Sequence, residues 1–142
     1  MPSRLRVAAA ALSALLLAGC GASDIAASES PVDCAVDKCV ALTFDDGPAP
    51  FTDRLVGLLD AADAKATFFM IGNKVAANPA GAKRVAEAGM EIGNHTWEHP
   101  NMTTIPARYV PEQLSKAQQA IVAATGQTPT LWRPPGGLTD EG

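Results

Sequence analysis

The alternation of short apolar runs with helical segments constrains the fold of this 142-residue chain most. Short apolar runs are typical of buried strands, and strands that alternate with helices build parallel sheets through right-handed crossovers. We therefore predict an α/β fold with about four parallel strands and flanking helices. The predicted strands are 40–44, 66–71, 90–93 and 130–132. A first helix is predicted from Leu55, Leu58, Leu59 and Ala62, which share one helical face, and two further helices are predicted over 79–88 and 111–124.

Polar side chains follow three of the predicted strands. Asp45 and Asp46 follow the first strand, His95 and His99 follow the third, and Arg133 follows the fourth. In α/β barrels, the carboxyl ends of the strands carry the chemistry. The two histidines are the only ones in the chain, and their spacing of four residues lets both imidazoles bind one cation. Two imidazoles and one carboxylate leave a divalent metal with an open position, which is typical of catalytic zinc; the alternative is two surface histidines beside a turn.

The N-terminal residues have the pattern of an export signal. Two arginines precede an apolar run over 7–18, which is too short to span a bilayer but suits a signal peptide. The tetrapeptide Leu-Ala-Gly-Cys that ends at Cys20 resembles a bacterial lipobox, in which cleavage leaves a lipid-modified cysteine as the new N-terminus. We predict a signal peptide over 1–19 and a lipid anchor at Cys20 on the outer face of the cell membrane. An ordinary secretory signal is the alternative.

The three cysteines are an odd number for an exported protein. If Cys20 carries lipid, Cys34 and Cys39 remain as a pair that can close a short disulfide loop before the first strand. A rival interpretation is a structural zinc site built from these two cysteines and the two histidines, but an oxidising compartment favours the disulfide. We predict that residues 20–38 form a lipidated, flexible tether, and that 39–142 form one domain.

The net charge of −4 provides no basic patch, so the sequence predicts no nucleic-acid partner. The charge is also too small to indicate disorder. Composition leaves the oligomeric state open.

Three ordered motifs resemble those of the NodB-type polysaccharide deacetylases (carbohydrate esterase family 4). They are TFDDGP at 43–48, HTWEHP at 95–100 and RPPGG at 133–137. The family fold is a distorted (β/α) barrel, and this chain supplies only its N-terminal part. We therefore expect an incomplete barrel with unpaired sheet edges, which favour association or low stability.

The resemblance implies a divalent metal, most simply Zn²⁺, bound by Asp46, His95 and His99. It also implies that Asp45 is the general base and that Arg133 orients Asp45 through a charge-assisted pair.

Two further positions are implied to bind substrate, namely Pro135 and Gly136. In the family an aromatic residue commonly follows the proline, and its backbone N–H helps to bind the oxyanion. Gly136 keeps the N–H but lacks the aromatic wall. We assign Trp97 and Trp132 to packing rather than to sugar stacking.

The implied activity is metal-dependent hydrolysis of the N-acetyl groups of an envelope polysaccharide, with release of acetate. Peptidoglycan is favoured over chitin-like chains because a short tether faces the cell's own wall. The family's general acid is a histidine from a later motif, and no histidine follows His99 in this sequence, so we expect activity reduced by about 10²–10⁴-fold or more. The alternatives are a non-catalytic lipoprotein fragment that binds metal or glycan, and a hydrolase of small non-glycan amides.

Overall fold

The computed structural model describes residues 33–36 and 38–137. The predicted signal peptide, the lipidation site Cys20 and most of the tether lie outside these residues, so they stay predictions. Among the described residues, no helix has both the length and the apolar character needed to cross a membrane.

The chain divides into two compact units, one ending at residue 37 and one beginning at residue 38. The described part of the first unit is a turn, in which the N–H of Val36 donates to the carbonyl oxygen of Asp33 at 2.9 Å. Cys34 and Cys39 are both in the disulfide-bonded form. Their pairing with each other stays a prediction.

The second unit alternates strands and helices. Its three strands form one parallel sheet, in which neighbouring strands follow chain order. This confirms the prediction of an α/β fold with parallel strands. The elements are β1 (Thr43–Gly47), α1 (Thr52–Ala61), β2 (Thr67–Met70), α2 (Gly72–Ala77), α3 (Pro79–Glu87), β3 (Glu91–Asn94) and α4 (Val110–Thr125).

The predicted fourth strand is present only as a single parallel bridge between Asn94 and Trp132. The N–H of Asn94 donates to Leu131 O at 2.9 Å, and the N–H of Arg133 donates to Asn94 O at 3.0 Å. The pairing ends there because two prolines follow, and proline has no N–H to donate to a ladder. The bridge nevertheless places Arg133 beside the end of β3.

Helix α2 is the element that the sequence pattern did not predict. It has six residues and begins with glycine and asparagine, which are poor helix formers. The N–H groups of Gly72 and Asn73 donate to the carbonyl oxygens of Thr96 and Trp97 at 2.9 and 3.1 Å. These bonds tie α2 to residues 95–99, which we call the histidine loop.

The hydrophobic core lies between the sheet and the helices. Phe68 and Ile92 contribute from the strands, and Val75, Val85 and Ile121 contribute from the helices.

The edges of the sheet are less covered. Most residues of β1 are exposed. At the opposite edge, Leu131 and Trp132 are 46% and 50% exposed, whereas the bridge partner Asn94 is buried. Half of the Trp132 surface is thus exposed, and its assignment to packing stays a prediction. The three strands of the described domain form an open sheet that does not close on itself, as expected for part of a barrel.

Gly72 lies at the contact between α2, α4 and Trp97. A Cβ atom at this position would be 2.6 Å from Ala117 Cα and 2.6 Å from Cε3 of Trp97. We expect Gly72→Ala to lower the free energy of unfolding by about 1–3 kcal/mol, the usual cost of overpacking. Gly57 in α1 is a matched control, because a Cβ there meets nothing within 4 Å. Alanine in a helix interior is favoured over glycine by about 0.5–1 kcal/mol. Urea unfolding measures both variants, and a Gly72→Ala protein as stable as Gly57→Ala would contradict this packing.

Candidate metal centre

Asp46, His95 and His99 form a cluster at the carboxyl ends of β1 and β3. Their ligand atoms, one carboxylate oxygen and two imidazole nitrogens, all lie within 4.8 Å of one another. Asp46 Oδ1 is 3.5 Å from His95 Nε2 and 3.2 Å from His99 Nε2. In the described part of the chain, no other three histidine, cysteine, aspartate or glutamate side chains bring their ligand atoms within this distance of one another. The structure thus brings together the three side chains that the sequence proposed as ligands.

The donor set and its spacing fit a divalent metal such as zinc. Imidazole nitrogens and carboxylate oxygens bind zinc at about 2.0–2.2 Å, so two ligands of a tetrahedral site lie about 3.3–3.6 Å apart. The two distances from Asp46 Oδ1 are close to this separation. Three protein ligands also leave a fourth position for water or substrate.

His95 is the buried member of the cluster, with only 1% of its surface exposed. Its Nδ1 lies 2.8 Å from the carbonyl oxygen of Arg133. A carbonyl can only accept a hydrogen bond, so Nδ1 carries the proton and donates it. In the neutral ring, Nε2 then presents its lone pair to the cluster, as a metal-binding histidine requires.

The backbone around the cluster adopts unusual conformations. Asp46, Thr96 and His99 have φ angles of 67°, 68° and 59°, in the left-handed region that side chains disfavour. Such residues persist where surrounding contacts hold them, and they concentrate at functional sites. Lys74 Nζ donates to the carbonyl oxygen of Asp46 at 2.9 Å. The Thr96 N–H donates to Asn94 Oδ1 at 2.9 Å, and the His99 N–H donates to Thr96 Oγ1 at 3.2 Å.

Asp46 is also an extra residue in its strand. Asp45 pairs with Phe69 and Gly47 pairs with Met70, so the register shifts across Asp46. A bulge of this kind redirects a side chain, and bulges are frequent next to active sites. On a regular strand, Asp45 and Asp46 would point to opposite faces.

Asp45 lies beside the cluster and is held by Arg133. Arg133 Nη1 donates to Asp45 Oδ1 at 2.8 Å and to Thr43 Oγ1 at 3.1 Å. The guanidinium carbon of Arg133 is 4.0 Å from the centroid of the Phe69 ring. The second oxygen of Asp45, Oδ2, is 4.0 Å from His95 Nε2. One oxygen of this carboxylate is thus bound to arginine, and the other faces the cluster.

Sequence reasoning did not identify Thr43 and Phe69 as supports of Arg133. Phe69 in turn depends on Gly93, because a Cβ at Gly93 would be 2.4 Å from Phe69 Cδ1. Thr43 lies in the first of the three motifs and Gly93 lies just before the second, whereas Phe69 lies in β2, outside all three. The sequence signal available for Thr43 and Gly93 was their position, since each lies two residues before a proposed functional residue, Asp45 or His95.

The remaining predicted positions are less directly connected to the cluster. Pro135 is buried and Gly136 has a φ of 67°, both within a short 3₁₀ turn after Arg133. Among the described residues, neither forms a hydrogen bond with the clustered side chains, so their role in substrate binding stays a prediction. The rival four-ligand site is disfavoured, since Cys34 and Cys39 are disulfide-bonded and their sulfurs are not thiolates.

The sequence of this chain is similar to those of known polysaccharide deacetylases. The chain matches the family model described as polysaccharide deacetylase over residues 33–142. It is 41% identical over 106 residues to the peptidoglycan-N-acetylglucosamine deacetylase PgdA of Listeria monocytogenes, covering 74% of this chain and 23% of that protein. It is 36% identical over 137 residues to a chitin deacetylase of Pestalotiopsis sp., covering 89% of this chain and 46% of that protein. The chain therefore spans less than half the length of these curated relatives.

Solved structures give a similar result. The T48 deacetylase, determined with substrate, superposes with a TM-score of 0.74 at 41% identity, covering 77% of this chain and 55% of that one. A pseudoenzyme of the CE4 family from Bacillus anthracis, BA3943, superposes with a TM-score of 0.70 at 36% identity, covering 75% of this chain and 38% of that one. The solved structures that share this fold thus include both a deacetylase and a pseudoenzyme.

Proposed function

This chain belongs to the polysaccharide deacetylase family, and we propose that its cluster is the metal centre of an enzyme that removes N-acetyl groups from an envelope polysaccharide. The convergence of one carboxylate and two imidazoles, beside a second carboxylate bound to arginine, carries this proposal. We propose peptidoglycan as the first substrate and a chitin-like chain as the second. The 41% identity to PgdA supports the first. The 36% identity to a chitin deacetylase supports the second.

We assign Zn²⁺ to Asp46, His95 and His99. These three residues would hold the ion, which would polarise an amide carbonyl and make a water molecule a better nucleophile. His95 serves through Nε2, since its Nδ1–H is already donated to Arg133 O. The side chains of Asp46 and His99 are 56% and 39% exposed. That exposure leaves one side of the cluster accessible to a polymer.

Asp45 is the general base of the proposed reaction. Its Oδ1 accepts the hydrogen bond from Arg133, which leaves Oδ2 to accept a proton from the attacking water. Arg133 orients Asp45 through this hydrogen bond, and the Phe69 ring under the guanidinium fixes the arginine. Water then replaces the sugar nitrogen on the acetyl carbon, and the products are acetate and a free amine.

Two parts of the proposal rest on the sequence alone. One is substrate contact at Pro135 and Gly136, where the Gly136 N–H is the donor proposed for the oxyanion. The other is export with a lipid anchor at Cys20, which would hold the domain near the cell wall.

A second candidate function is binding without turnover. The likeness to the pseudoenzyme BA3943 favours it. The leaving amine must also be protonated, and both histidines of the sequence already belong to the cluster. In this alternative, the chain binds metal or glycan through the same surface.

Release of acetate from N-acetylated substrates, measured with and without added zinc, tests the proposed function. We expect zinc-dependent release from peptidoglycan fragments, less from chitin oligomers, and none from simple acetamides. Zinc binding without release from any substrate would favour the second candidate. Release from acetamides alone would instead indicate a hydrolase of small amides.

A further inference from the structure

We propose that Gln113 is a positioning residue that holds the histidine loop in its metal-binding conformation. Gln113 lies near the start of α4, outside the motifs that carry the family resemblance. The inference rests on the proposed metal centre, because it concerns how His99 is placed relative to His95.

Gln113 uses both ends of its side-chain amide on the histidine loop. Its Oε1 accepts hydrogen bonds from the backbone N–H of Trp97 at 3.1 Å and of Glu98 at 3.0 Å. Its Nε2 donates to Glu98 Oε2 at 3.0 Å. An amide oxygen has two lone pairs, so the two accepted bonds are compatible. One side chain thus binds two successive peptide N–H groups, out of the three that lie between the histidines.

The loop needs such support because its backbone is unfavourable on both sides of these two peptides. Thr96 and His99, which flank them, have φ angles of 68° and 59°. Helix α2 binds the carbonyl side of the loop, through the N–H groups of Gly72 and Asn73. Gln113 binds the opposite side of the same two peptide groups, through the N–H groups of Trp97 and Glu98.

The two histidines depend on this support to different degrees. His95 is buried, and the carbonyl oxygens of Met70 and Arg133 fix its backbone and its ring. The His99 side chain is 39% exposed. Its backbone N–H is bonded within the loop, to Thr96 Oγ1. Loosening the loop should therefore move His99 while His95 stays in place, and the site should lose affinity for metal.

The test is the zinc dissociation constant, measured by competition with a chromogenic chelator. We expect Gln113→Leu to weaken zinc binding by about 10–100-fold, the usual effect of losing a group that orients a metal ligand. Gln119→Leu is the matched control, since it makes the same change at an exposed position of the same helix. Circular dichroism establishes that each variant is folded. If Gln113→Leu does not fold, Gln113→Asn replaces it, because its amide is one methylene too short to reach both N–H groups.

A rescue variant separates positioning from general helix stability. The double change Glu98→Gln and Gln113→Glu keeps an acceptor for both N–H groups and reverses the direction of the third bond. We expect its zinc affinity to return towards that of the wild type. The proposal is overturned if Gln113→Leu (or Gln113→Asn) binds zinc as tightly as Gln119→Leu, or if the double variant remains as weak as the single one. A wild-type chain that does not bind zinc would overturn the proposed function, and this inference with it.

Discussion

Asp46→Asn is expected to abolish zinc binding while leaving the fold intact. The change removes the only anionic ligand of the cluster, whose Oδ1 lies 3.2 Å and 3.5 Å from the two histidine Nε2 atoms. The loss should exceed the 10–100-fold that changes around the ligands cause. Asn adopts left-handed backbone about as readily as Asp, so the φ of 67° at this position is not a reason for misfolding. The variant therefore isolates the carboxylate.

Thermal unfolding with and without zinc gives an independent readout for Asp46→Asn. Zinc at 100 times its dissociation constant should stabilise the wild type by about 2.7 kcal/mol and leave this variant unchanged. Asp60→Asn removes the same charge from an exposed position on α1 and should behave as the wild type. Equal zinc stabilisation of Asp46→Asn and Asp60→Asn would remove Asp46 from the metal centre.

Local sequence patterns predicted the three parallel strands, but not the reduction of the fourth strand to a single bridge, and they missed one helix. The predicted runs 66–71 and 90–93 overlap β2 and β3, whereas β1 shares only Thr43 and Phe44 with the predicted run 40–44 and includes both aspartates. The chain reverses after each strand, so the parallel order followed from general rules of topology. Helix α2 begins with Gly72 and Asn73, which read locally as the end of a strand. Its first N–H groups are satisfied by carbonyls of the histidine loop, more than twenty residues later in the chain. No local pattern encodes that partnership.

The residues of the site also divide into those that a local sequence pattern predicts and those that depend on contacts with distant residues. His95 and His99 are four residues apart, so their spacing alone suggested a shared cation. The supports of the site are distant in sequence. Thr43 bonds to Arg133 across 90 residues, and Gln113 reaches the loop across 15 and 16 residues. A single sequence shows neither contact, because each depends on which elements pack against each other.

Asp45→Asn is expected to slow acetate release by about 10²–10⁴-fold, the usual contribution of a general base. The amide oxygen of Asn can still accept the hydrogen bond from Arg133 Nη1, which is 2.8 Å from Asp45 Oδ1. The amide NH₂ would then occupy the place of Oδ2, where it cannot take a proton from water. Steady-state kinetics on peptidoglycan fragments measures the effect. Asp60→Asn is again the charge control, and its rate should equal that of the wild type.

Substitution of the two neighbouring aspartates should therefore have different effects on turnover and on zinc affinity. Asp46 touches both imidazoles, whereas Asp45 Oδ2 is 4.0 Å from His95 Nε2 and its other oxygen is bound to arginine. We expect Asp45→Asn to lose turnover while its zinc affinity stays near that of the wild type, and Asp46→Asn to lose both. The bulge at Asp46 makes this separation possible, because it brings two adjacent carboxylates to one end of the sheet with different partners. If Asp45→Asn weakened zinc binding as much as Asp46→Asn does, the two carboxylates would share one role, and the base would have to be sought elsewhere.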